Sequence, residues 1–198
     1  MRVRTLAIVA VLAALMTALP ASAAAPSPFL ARLMGRAPGE GKTFACFTRV
    51  YDDAHLAARP LQNVRAMDVL VVAYSTLDYG YQLRMGFRFR GRAEELTTVA
   101  ECGGAGDRPP DSLRGVAVCA GPVGGGSMRV ALDDDGSALM AIPNGAHLWR
   151  PGPPNPKDTV DDAFGPDDKL FRLTRTDLSN CADQMFDDEK KALLDRSR

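Results

Sequence analysis

The chain has 198 residues, with 24 lysines and arginines against 24 aspartates and glutamates, so its formal net charge is zero. A balanced charge argues against a general nucleic-acid binder, because such proteins carry a basic excess that neutralises phosphates. The length suits one domain preceded by a leader. We therefore predict a signal peptide at 1–23, a flexible lead-in at 24–43 and a single β domain over 44–198.

The first 23 residues have the three parts of a secretory signal peptide. Arg2 and Arg4 give a positive start, residues 6–19 form an uncharged apolar stretch, and Ala21-Ser22-Ala23 is a small-residue cleavage site. The apolar stretch is too short for a membrane span, and no second long one follows. We expect a periplasmic or secreted protein with no integral membrane segment after cleavage.

Export would place the cysteines in an oxidising compartment, where four cysteines indicate two disulfides. They are Cys46, Cys102, Cys119 and Cys181. Four cysteines allow three connectivities. We prefer Cys102–Cys119, which joins consecutive strand ends, together with Cys46–Cys181, which ties the first strand to the last segment.

The first elements in chain order are a short helical pattern near residues 29–34 and a strand over 45–50. A run of strand length over 67–76 follows, and then the strongest strand signal, which is the strict alternation of 81–90. Its apolar positions share one face of a strand and its polar positions share the other. The apolar face comprises Tyr81, Leu83, Met85, Phe87 and Phe89. The runs at 67–76 and 81–90 are therefore predicted to form a hairpin.

Weaker strand signals continue to the end of the chain. They cover 96–102, 116–119, 128–132, 137–142 and 170–174, and the tail over 182–198 has the composition of a short surface helix. The total of about eight strands with short turns predicts an all-β fold, mostly antiparallel, as a small barrel or a sandwich. The sequence leaves barrel and sandwich open.

The polar face of the 81–90 strand carries the first candidate binding site. Arg84, Arg88 and Arg90 would stand about 7 Å apart along one strand face, a spacing that suits an anionic polymer or a phosphate-bearing ligand. The alternative is an ordinary solvated sheet face, on which these arginines pair with cross-strand acids such as Glu95 or Glu101.

The second candidate site is the segment after the first strand, which contains Tyr51, Asp52 and His55. Asp52 with His55 could bind a metal or shuttle a proton. The alternative is a segment that caps the sheet, with Tyr51 packed and His55 hydrogen-bonded locally. No known catalytic signature occurs, and a durable metal site needs three or four ligands. We therefore assign no catalytic residue, metal or cofactor.

Three segments carry a resemblance to a group of exported bacterial proteins of unknown function. They are Cys-Phe-Thr-Arg-Val-Tyr-Asp-Asp-Ala-His-Leu-Ala at 46–57, Gly-Gly-Gly-Ser-Met-Arg-Val at 124–130 and Asp-Asp-Lys-Leu-Phe-Arg-Leu at 167–173. The resemblance implies that Tyr51, Asp52 and His55 form a family feature. It brings no activity with it.

These observations favour a non-catalytic binding or interaction module that recognises a small ligand or an envelope partner. One alternative is a small periplasmic hydrolase or metal-dependent enzyme centred near His55. The other is an envelope structural or inhibitor protein that acts through its long loops at 103–114 and 151–168.

Overall fold

The chain folds into a closed barrel of antiparallel strands. A computed structural model describes residues 28–74, 80–103, 116–121, 126–151, 159–160 and 163–196. Within these ranges eight strands follow one another around the barrel in chain order, and β1 pairs with β8 to close it. The strands are β1 Lys42–Val50, β2 Val64–Tyr74, β3 Tyr81–Phe89, β4 Glu95–Cys102, β5 Val116–Ala120, β6 Ser127–Leu132, β7 Ala138–Ala141 and β8 Leu170–Thr176.

Helical segments precede, interrupt and follow the barrel. They are α1 Pro28–Met34, α2 Asp53–Ala58, a 3₁₀ segment over Leu178–Gln184 and α3 Asp187–Arg196. The predicted all-β class, the antiparallel strands and the C-terminal helix are therefore confirmed. Of the two architectures that the sequence left open, a barrel and a sandwich, the protein has the barrel. None of the helices in the described ranges is both long enough and apolar enough to span a membrane. The predicted signal peptide lies outside the described residues.

Both predicted disulfides are present, and they occupy opposite sides of the sheet. Cys102 and Cys119 are paired across β4 and β5, and their bond lies in the barrel interior. Cys46 points outward from β1 and bonds Cys181 of the 3₁₀ segment. The second bond holds the C-terminal segment against the outside of the barrel.

Inward-pointing side chains fill the barrel, as the alternation of residues 81–90 predicts. Tyr81, Leu83, Met85, Phe87 and Phe89 are all buried in the main core. They are joined by the inward positions of the other seven strands. The pattern of period two thus arises because one face of β3 meets the core and the other meets the C-terminal segment.

The two ends of the barrel are closed by different segments. At the end where β1 begins, α1 inserts Phe29, Leu30, Leu33 and Met34 into the main core. The helical pattern predicted near residues 29–34 is therefore confirmed, and within the predicted lead-in this helix is packed, since its apolar face needs burial. At the other end, Phe164 packs edge-on against Phe87 and Phe89, with ring centroids 5.2 and 5.5 Å apart.

The C-terminal segment covers the outer face of β1, β2 and β3. Leu70 and Val72 of β2 pack against Met185 beside the Cys46–Cys181 bond, and this forms a second, smaller core. Glu189 of α3 is also buried here. Its carboxylate accepts hydrogen bonds from the Arg84 guanidinium at 2.6 and 3.1 Å and from Lys42 Nζ at 2.6 Å.

Two further carboxyl groups are covered by the same segment. Asp68 of β2 is buried, and its nearest cationic group is Arg88 at 4.0 Å. Glu95 of β4 accepts a hydrogen bond from Gln184 Nε2 at 2.9 Å. Gly86 of β3 pairs with Asp68, and a Cβ atom at this position would collide with Gln184 and Glu95. Burial raises the pKa of Asp68 to about 7, and the neighbouring Glu95 adds to the shift.

Candidate functional site

A groove of about 460 Å³ lies at the end of the barrel where β1 finishes, and we call it the His55 groove. It is formed by the end of β1, α2 and the loop after it, the turn before β8, the start of β8 and one residue of β7. Its lining comprises Arg49, Tyr51, His55, Arg59, Gln62, Leu139, Pro166, Asp167, Lys169, Leu170 and Arg172. Two of the predicted site residues, Tyr51 and His55, therefore face the same groove.

Local sequence explains how His55 is positioned. Asp52 is the N-cap of α2, and its side chain accepts the backbone N–H of His55 at 2.7 Å. This cap starts one short helical turn, which brings the imidazole over the Tyr51 ring with centroids 4.5 Å apart and planes at 26°. His55 Nε2 also lies 3.1 Å from Gln62 Oε1. Asp52 thus supports the site through the backbone.

Tyr51 also orients a cation. The Arg49 guanidinium lies over the Tyr51 ring, 4.8 Å from its centroid. Burial raises the pKa of Tyr51, so the phenol stays neutral beside the arginine at physiological pH. Arg49 Nε is buried and has no hydrogen-bond partner among the described residues. A guanidinium held over an aromatic ring is restricted in its motion and keeps its N–H donors available for a carboxylate or a phosphate.

The groove holds more free positive charge than negative charge. Arg172 is already paired, since it contacts Asp133 and Asp135 at 2.7 Å each. Arg49, Arg59 and Lys169 make no ion pair within 4.0 Å in the described part of the chain, whereas Asp167 is the lone carboxylate in the lining. Three such cations against one acid favour an anionic ligand.

Asp168 fixes the two segments that form the groove. Its carboxylate accepts backbone N–H groups from Asn63 at 2.9 Å, Val64 at 3.2 Å and Gly165 at 2.7 Å. These bonds tie the loop after α2 to the turn before β8. Burial raises the pKa of Asp168, and the three backbone donors oppose that shift. Gly165 is needed because a Cβ atom there would strike the Leu61 carbonyl.

We expect Asp168→Asn to lower the free energy of unfolding by about 1–3 kcal/mol, because an amide NH₂ would face buried N–H donors that are left unpaired. Asp167→Asn is the matched control, since that neighbouring carboxylate is exposed. Its effect should stay within about 0.5 kcal/mol. Urea denaturation of both variants measures the difference, and equal effects would contradict the structural role of Asp168.

The three arginines of the first candidate site do not form one exposed stripe. Arg84 is buried beneath the C-terminal segment and bound to Glu189. Arg88 is exposed beside Asp68. Arg90 lies beyond the end of β3, and its Nη2 donates to the carbonyls of Leu56 and Arg59 at the end of α2. The expected row of free guanidiniums is therefore corrected, because a later segment covers part of this face.

Sequence reasoning missed Arg49, Arg59 and Lys169 as site residues. Arg49 carried a usable signal, since it stands two positions before Tyr51 on the strand that leads into the site. Arg59 and Lys169 are separated by about half of the chain. They meet only because β8 closes the barrel against β1. That juxtaposition has no local sequence signal.

The fold and the groove together define a small disulfide-bonded barrel with a groove at one end whose lining is rich in cationic side chains. In the described ranges no group of three or more His, Cys, Asp or Glu residues is arranged to hold a metal ion. No family model, curated protein or solved structure matches the chain. The resemblance to exported bacterial proteins therefore stays a prediction.

Proposed function

We propose that this protein is an exported binding module that holds an anionic ligand in the His55 groove. The observation that carries the proposal is the convergence of Arg49, Arg59 and Lys169 on one groove with no ion-pair partner among the described residues. Phosphate and carboxylate ligands match this chemistry, because guanidinium and ammonium groups form charge-assisted hydrogen bonds with both.

Two sequence features support the location and the site. The signal-peptide pattern at 1–23 and the two disulfides are both typical of proteins outside the cytoplasm. Two of the three segments that carry the resemblance, 46–57 and 167–173, also supply most of the groove lining. The segments that carry the resemblance and the residues of the candidate site therefore largely coincide.

The alternative of catalysis at His55 has weaker support from the geometry. His55 Nε2 pairs with the amide oxygen of Gln62 rather than with a carboxylate that would stabilise an imidazolium. The ring stacks on Tyr51, and this arrangement suits a ligand-facing wall of the groove. Action through the long loops also stays a prediction, because residues 104–115 and 152–158 lie outside the described ranges.

Titration with inorganic phosphate tests the proposal. We expect saturable shifts of the backbone amide signals of Arg49, Tyr51, His55 and Lys169 in NMR spectra recorded at constant ionic strength. In the triple variant Arg49→Gln/Arg59→Gln/Lys169→Gln, the dissociation constant should rise at least about tenfold, because the charge-assisted contacts are lost.

A second triple variant removes the same charge from other parts of the surface. It changes three exposed residues outside the groove lining, namely Arg36→Gln, Arg129→Gln and Lys191→Gln. Its phosphate affinity should stay within about twofold of the wild-type value, because net charge acts only weakly through salt solution. Equal losses in the two triple variants, or no saturable shifts in the wild type, would refute the proposed site.

A further inference from the structure

Three exposed apolar side chains lie in the lining of the His55 groove or next to lining residues in the chain. Val50, Leu61 and Leu170 are 69%, 55% and 62% exposed. They are three of the five large apolar side chains that are strongly exposed in the described part of the chain, and the other two are Val118 and Phe186. Single exposed apolar residues are common on protein surfaces, whereas a cluster beside a binding site indicates a partner.

The topology brings these three residues to the same end of the barrel. Val50 is the last residue of β1 and Leu170 is the first residue of β8, and these two strands are paired antiparallel neighbours. The Leu61 carbonyl accepts the backbone N–H of Asp167, three positions before Leu170, at 3.5 Å. Leu170 also lines the groove itself. The apolar residues and the groove cations therefore share one surface.

We infer that this surface docks onto a lipid bilayer that contains anionic lipids, an inference that rests on the proposed anion-binding function. Arg49, Arg59 and Lys169 would contact lipid phosphates, while Val50, Leu61 and Leu170 would enter the interfacial region. The combination of basic and apolar side chains on one face is the chemistry that binds proteins to anionic membrane interfaces. The single groove carboxylate, Asp167, is outnumbered by the cations.

The placement of the apolar residues favours a surface over a small enclosed ligand. Val50 and Leu61 are not part of the groove lining; Val50 ends β1, and Leu61 lies in the turn between α2 and β2. A ligand held within the groove would leave both side chains in water. An extended interface covers all three apolar residues at the same time as it supplies phosphates to the cations.

Vesicle flotation tests this inference with the full chain. We compare vesicles made from equal parts of phosphatidylcholine and phosphatidylglycerol with vesicles of phosphatidylcholine alone. Wild-type protein should float with the anionic vesicles only. The variant Val50→Ser/Leu61→Ser, which changes only apolar residues outside the groove lining, should bind them at least about tenfold more weakly while keeping its phosphate affinity, since its cations are intact. Val118→Ser, which removes an exposed apolar residue from β5, should bind like the wild type.

The outcomes separate this inference from the proposed function. Phosphate binding without vesicle binding would overturn the bilayer inference and leave the anion site in place, so that a soluble anion or an acidic protein would be the ligand. Vesicle binding that survives the serine variant and is lost in Arg49→Gln/Arg59→Gln/Lys169→Gln would also overturn it, because charge alone would explain the attachment. If the wild-type protein does not bind phosphate, both the proposed anion site and the bilayer inference are refuted.

Discussion

Glu189→Gln should lower the free energy of unfolding by about 3–5 kcal/mol at pH 7, because it leaves the buried Arg84 guanidinium without its counter-charge. The side chains of Arg84 and Glu189 are 4% and 1% exposed and meet at 2.6 Å. Burial alone would raise the pKa of Glu189, yet hydrogen bonds from Arg84 and Lys42 outweigh it and the pKa is lowered. Chemical denaturation with a fluorescence or circular-dichroism readout measures the loss.

The control and the compensating variant use the same segment. Asp188→Asn removes a carboxylate that is 76% exposed and lies 3.8 Å from Lys42, so its effect should stay below about 0.5 kcal/mol. Arg84→Met/Glu189→Leu should be more stable than Glu189→Gln, because no buried charge is left unpaired. A Glu189→Gln effect as small as that of Asp188→Asn would show that α3 does not bury this ion pair in solution.

Asp68→Asn should make the protein more stable at pH 8 and leave its stability almost unchanged at pH 4. The pKa of Asp68 is raised from 3.8 to about 7, mainly by burial and then by the nearby Glu95. Because the folded protein holds this proton more tightly than the unfolded chain does, stability falls as the pH rises from about 4 to about 7. At 1.36 kcal/mol per pKa unit, the gain at pH 8 would reach up to about 4 kcal/mol.

Thermal unfolding across this pH range gives the measurement. Wild-type protein should lose stability between pH 4 and pH 8, and the Asp68→Asn profile should be flatter. Asp188→Asn again serves as the control and should keep the wild-type profile, since its carboxylate is exposed. Some slope should remain in Asp68→Asn, because burial also raises the pKa of Glu95. Parallel profiles for wild type and Asp68→Asn would contradict the burial of this carboxyl group.

Local sequence patterns predict much of this fold, because the alternation of apolar and polar residues in a strand shows which of its two faces is buried. The alternation of residues 81–90 is visible in sequence because neighbouring positions of β3 meet different surroundings. The Cys102–Cys119 pairing can also be predicted from local patterns, because these two cysteines lie at the ends of strands that follow each other in the chain. The choice of a barrel over a sandwich depends on the contact between β1 and β8, which no local pattern contains.

Arg84 shows where this reasoning stops. A polar residue on the outer face of a strand is normally solvated, and nothing near Arg84 in sequence indicates otherwise. Its burial follows from α3, which arrives about a hundred residues later and brings Glu189. The candidate site shows the same limit. Tyr51, Asp52 and His55 interact within one turn and are predictable as a group, whereas Lys169 joins them through the closure of the barrel.

The pairing of β1 with β8 also dictates an order of events during folding. When the chain is made from its amino terminus, β1 is available early, and β2 can then pair with one edge of β1. The other edge of β1 pairs with β8, so its backbone N–H and C=O groups stay unpaired until nearly the whole chain has been made. Cys181 follows β8 directly, and its bond to Cys46 spans 135 residues. Oxidation of this pair after β8 docks would turn a reversible closure into a permanent one.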